Sequence, residues 1–109
     1  MKLDLEVKMR VREILSVIKQ IAPGKSVELR IPPYAAIQCV TGVAHRRGTP
    51  PNVVEMNAEA LIKLIDNPGQ WFEMCKQGLI SASGTNSDIS KLLEHASKIL
   101  INPDRNLNG

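Results

Sequence analysis

The residues whose types could do chemistry are few, and the densest group is His45, Arg46 and Arg47, followed by Gly48, Thr49, Pro50, Pro51 and Asn52. Two guanidinium forks and an imidazole in one short stretch suit a phosphate or carboxylate, and a neighbouring glycine lets backbone approach it. The same stretch also reads as a stiff corner. Pro50 and Pro51 bias the chain to an extended path, Gly48 permits the turn before them, and Val53, Val54 and Met56 then enter a strand with its direction set. The corner is the first reading. An anion-contacting rim formed by His45, Arg46 and Arg47, with Lys25 as a further cation, is the second.

Nothing else resembles the usual equipment of an enzyme. His95 falls on an expected helix without a carboxylate or cysteine at ligand spacing, so no metal site is expected. Cys39 and Cys75 lack CxxC spacing and read as buried thiols rather than as a zinc site or a disulfide. Cys39 and His45 are the one pair that could act as nucleophile and base, but their spacing does not favour that over a core thiol and a surface histidine. The glycines never fall into a phosphate-cradling pattern, and Glu55 and Glu59 read as a solvated face across a strand-to-helix junction. No catalysis and no cofactor are expected.

Composition narrows the partners. With 109 residues, 43% of them hydrophobic, the chain suits one domain over residues 1–109 with a single core. Its net charge of +3 rests on 14 Lys and Arg against 11 Asp and Glu, far from a nucleic-acid-binding stripe. Only Tyr34, Trp71 and Phe72 are aromatic, too few for base-stacking platforms. Residues 1–50 carry nine of the basic and four of the acidic residues, and Lys8, Arg10, Arg12 and Lys19 among them read as the solvated face of a helix. No apolar run approaches the ~20 residues that span a bilayer, and the first ten residues are not signal-like. A cytoplasmic protein with at most peripheral membrane contact is expected.

The elements that must position these residues follow from periodicity. Val7, Val11, Ile14, Leu15, Ile18 and Ile21 recur at helical spacing within residues 1–22, and Pro23-Gly24 stops the run. Leu3, Leu5, Val7, Met9 and Val11 also alternate as a strand would, so the helix start can lie a turn or more away. Val27, Leu29 and Ile31 alternate with charged residues as a half-buried strand that Pro32-Pro33 ends. A second strand is expected within residues 34–41 and a third at residues 53–56, adjacent and antiparallel across the loop between them. Asn57 caps a helix through Leu61, Leu64 and Ile65; a short helix at residues 71–76 ends at Gly78. A small-residue strand follows at residues 80–84, then a last helix capped by Ser87 or Asp88, and a polar, flexible tail at residues 102–109. The class is α+β, a mainly antiparallel sheet with helices on one face.

Three stretches together, SVELRIPPYAAIQCVTG, HRRGTPPNVVEMNAEALIKLI and GLISASGTNSDISKLL, resemble the bacterial, chiefly actinobacterial, sterol-carrier-family proteins of the sterol carrier protein 2 (SCP-2-like) superfamily. The resemblance implies a curved sheet with an apolar tunnel beneath its helices that accepts sterols, fatty acyl chains or similar lipids. Carried onto this chain, it implies linings at Ile37, Cys39, Val54 and Met56 of the sheet, Leu61, Leu64 and Ile65 of the following helix, then Trp71, Phe72, Cys75 and Ile80. Each of these is equally what a packed core would use. The expected function is non-catalytic binding or transfer of an apolar ligand. The rival is an accessory domain without lipid, docking a protein partner or a second copy through the apolar first helix.

Overall fold

The computed structural model describes residues 4–42 and 50–101. The first helix, α1, spans Asp4–Ile21, and helical periodicity wins over alternation there because Val11, Ile14, Leu15 and Ile18 make one buried stripe. Strands β1 (Val27–Ile31), β2 (Ala35–Cys39) and β3 (Asn52–Met56) follow, then α2 (Ala58–Asp66), a 3-10 turn (Pro68–Gln70), α3 (Trp71–Lys76), β4 (Ile80–Ser83) and α4 (Ser90–Ile101).

The sheet order is β2-β1-β3-β4. β1 pairs antiparallel with β2, and β3 with β4, but β1 and β3 are parallel. The sheet is thus mainly antiparallel, as expected, yet β3 does not lie beside β2. The register gives the reason. β2 runs back along β1 until Cys39 lies beside Val27, and Asn52 opens β3 on the other side of Val27. The end of β2 and the start of β3 therefore flank the same residue of β1, so β3 starts at the end of the sheet where β2 finishes and runs parallel to β1.

One face of the sheet is covered. Val27, Leu29 and Ile31 are buried, while Arg30 is exposed on the other face beside Glu28 and Glu55, which it pairs with at 2.8 and 3.9 Å. These surface pairs add little stability. On the covered face α1 packs against β2, α2 and α4, while α4 also packs on α2 and the 3-10 turn, and α3 packs on β4. Val11 and Ile18 have no exposed surface, so the apolar stripe expected to meet a partner is consumed within the fold. Leu5 and Met9, one turn apart on α1, are exposed instead.

Helix ends follow local chemistry. Asn57 caps α2 as expected, its Oδ1 accepting from Ala60 N at 2.8 Å. α3 closes through Leu79 N donating to Met74 O, with Gly78 at φ 78°. At α4, Asp88 Oδ1 accepts from Ser90 N, whereas the Ser87 hydroxyl donates back to Gly84 O and closes the preceding turn.

Candidate ligand-binding groove

The carboxyl ends of the two parallel strands deliver the chain in different directions. After Ile31 it turns back into β2, with Tyr34 N donating to Ile31 O at 2.8 Å and a cis peptide between Pro32 and Pro33. After Met56 it passes through Asn57 into α2. The divergence leaves a crevice beyond the strand ends, the same position at which open α/β sheets tend to take ligands.

α1 closes that crevice with Val7. The resulting open groove holds about 540 Å³ and is walled by Val7, by Pro32, Pro33 and Tyr34 of the turn, and by Ala58 and Ile62 of α2; Asn57, Glu59 and Lys63 supply its polar rim. Its volume lies in the range of small-molecule sites, and its walls are mostly apolar with few polar groups. Glu59 and Lys63 pair across one turn of α2 at 3.2 Å. A shallower groove of about 340 Å³ lies on the far side of the same turn, between Arg30, Ala36 and Glu55. Pro32, Pro33 and Tyr34 therefore stand as a partition between the two.

The residues marked by the sequence have gone elsewhere. Cys39, Val54, Leu61, Leu64 and Ile65 are fully buried, with Met56, Trp71 and Ile80 nearly so, all in one apolar cluster against which Ile37 and Cys75 pack. Phe72 stands apart, 66% exposed, because a six-residue helix buries one face and α3 uses Trp71 and Met74 for it. None of these eleven lines the groove. His45, Arg46 and Arg47 fall outside the described residues, as does the tail at residues 102–109.

Sequence reasoning missed Val7, Tyr34, Ala58 and Ile62 as walls. One signal was present: α2 is apolar over a wide arc, with Ala58 and Ile62 one turn apart beside the stripe of Leu61, Leu64 and Ile65. The Pro32-Pro33-Tyr34 sequence carried no such signal, since Pro32-Pro33 reads as the end of one strand and Tyr34 as the start of the next.

The thiols do not offer a nucleophile. Burial pushes Cys39 up to about 11, and burial followed by the Asp88 carboxylate raises Cys75. Both are therefore protonated at neutral pH, and a thiol is a poor nucleophile. Among the described residues no group of three or more His, Cys, Asp or Glu is placed to hold a metal ion, and no helix is long and apolar enough to cross a membrane.

The family model for bacterial SCP orthologs matches residues 5–94. The chain belongs to that family. Among solved structures it is similar to one titled UbiJ-SCP2 ubiquinone synthesis protein, with 14% identity over 94% of this chain and 98% of that one, at a TM-score of 0.55. At that identity the likeness is one of fold: an α+β arrangement shared along almost the whole of both chains. No curated protein matches this chain.

Proposed function

We propose that this chain binds an apolar ligand without catalysing a reaction on it, and that the ligand's apolar body lies in the groove between α1, the turn at residues 32–34 and α2. The observation that carries this reading is the groove itself, with walls from Val7, Pro32, Pro33, Ala58 and Ile62 at the carboxyl ends of the parallel strands. Membership of the SCP family supports it. So does Cys39, a buried thiol of the core that burial keeps protonated.

Affinity in such a site comes from burial. Each methylene removed from water contributes ~0.8 kcal/mol, so two more methylenes tighten binding roughly tenfold until the groove is full. The wall positions, rather than the rim, then set affinity.

A fluorescent long-chain probe titrated into the protein is expected to bind saturably at micromolar concentration. Ile62→Trp, which pushes an indole from α2 into the groove, should weaken it by about tenfold or more, equivalent to ~1.4 kcal/mol. Ile62 is only half-buried, so the fold should tolerate the change and the thermal midpoint should move little. Unsaturable binding, or equal affinity in the variant, would remove the groove from the account.

A further inference from the structure

We propose that Glu59 makes the groove select a ligand with a neutral polar head, such as an alcohol, ketone or amide, over one with an anionic head such as a fatty acid. The inference rests on the groove reading above and assigns the chemistry of its rim.

The rim's polar groups all belong to α2 and its cap: Asn57 at the N-cap, Glu59 in the first turn and Lys63 one turn on, in the last. A helix N-terminus carries partial positive charge and ordinarily favours an anion, and Lys63 adds a full positive charge one turn further on. Both would draw a carboxylate head into the groove mouth. Glu59 answers both first: its carboxylate sits in the first turn of α2 and its Oε1 lies 3.2 Å from Lys63 Nζ. The place an anionic head would take is held by an anion of the chain itself. A second carboxylate there meets like charge, which at a solvated rim is worth about fivefold in affinity at 4 Å.

A neutral head meets no such opposition and finds partners. Asn57 Oδ1 is committed to Ala60 N, but its Nδ2 has no protein acceptor among the described residues. The Tyr34 hydroxyl likewise has no protein partner among them. An amide N–H at the rim and a phenolic O–H on the wall of an apolar groove are donors for an uncharged oxygen.

The test is a matched pair, 1-dodecanol and dodecanoate, each displacing the fluorescent probe from the full chain at pH 8 and low salt. Any apolar groove prefers the alcohol, because its head is cheaper to desolvate, so the diagnostic quantity is the ratio of the two affinities. Glu59→Gln is expected to raise the carboxylate-to-alcohol ratio by about fivefold to tenfold, because it frees Lys63 and the helix N-terminus together. The side chain of Glu59 is 77% exposed, so the variant should fold. Lys63→Gln added to that variant should take back most of the gain. Glu73→Gln on α3, outside the groove, should leave the ratio where it was. An unchanged ratio in Glu59→Gln overturns the selectivity while leaving the groove reading in place. Failure of both dodecyl compounds to displace the probe overturns the two together.

Discussion

Asn52→Ala should cost the fold about 3 kcal/mol, the largest loss expected from a single polar substitution among the described residues. Asn52 is 2% exposed at the start of β3 and joins three segments. Its Nδ2 donates to Ser26 O at 2.9 Å and lies 3.2 Å from Ser26 Oγ, just before β1 begins. Its Oδ1 accepts from Asn86 N at 2.9 Å, in the connection between β4 and α4. Alanine removes both side-chain partners, leaving Asn86 N without its acceptor and Ser26 O with only the longer bond from Asn52 N at 3.3 Å. Asn86 is exposed and Ser26 O keeps one bond, so the scale is set by the three side-chain hydrogen bonds lost, at ~1 kcal/mol each. Urea unfolding should show a lower midpoint at unchanged slope, and the thermal midpoint should fall by roughly 10 to 20 °C. Asn52→Asp keeps the shape and the acceptor but sets a buried carboxylate oxygen against Ser26 O in place of the amide donor, so it should cost at least as much. A change below about 1 kcal/mol in both variants would show that the three segments are held by something else.

Gly24→Ala is expected to be at least as damaging, for a steric reason. Gly24 has φ 148°, a conformation that side-chain-bearing residues rarely adopt, and a Cβ there would overlap the Val40 carbonyl oxygen and lie 2.6 Å from Thr41 N. These are backbone atoms in a tied junction. Val40 N donates to Ala22 O at 2.7 Å, Ser26 N to Val40 O at 2.9 Å, and the Thr41 hydroxyl to Pro23 O at 2.9 Å. Val40 itself sits at φ 68°, a strained position for a β-branched residue, held by those bonds. The methyl group cannot be accommodated without breaking them, and a loss of about 3 kcal/mol or more follows. Gly78→Ala separates the causes. Gly78 has φ 78°, but a methyl group there would meet nothing within 4 Å, so only the conformational cost of ~1 kcal/mol applies. Equal stability losses in the two variants would contradict the steric account.

Both sites bear on the groove at a distance. Gly24 and Val40 fix where the chain leaves β2, and Asn52 fixes where β3 starts beside β1. The opposite ends of those strands carry Pro32, a wall of the groove, and Asn57, part of its rim. Its geometry depends on the registers that these junctions set.

The elements themselves were legible because their causes are local. The Val27, Leu29 and Ile31 alternation, the Asn57 cap and the Pro23-Gly24 stop each act within a few residues. The pairing of β3 with β1 was not, because which strand lies beside which depends on tertiary packing that no single stretch contains. The same distinction applies to the site. Leu61, Leu64 and Ile65 are recognisable as apolar, but whether an apolar side chain fills a core or lines a groove depends on what other elements bring to it. Ile62, next to Leu61 in sequence, became a wall only because Val7 and Tyr34 arrive from two other elements. Phe72 shows the converse, an aromatic left outward when α3 spent its one buried face on Trp71 and Met74.

The most direct test of the central claim is an amide chemical-shift map of the ¹⁵N-labelled chain titrated with 1-dodecanol. Saturable shifts concentrated at Val7, Tyr34, Ala58 and Ile62, from three separate elements, are the predicted result. Shifts centred on Phe72 and Ile80 at α3 and β4, or none that saturate, would contradict it.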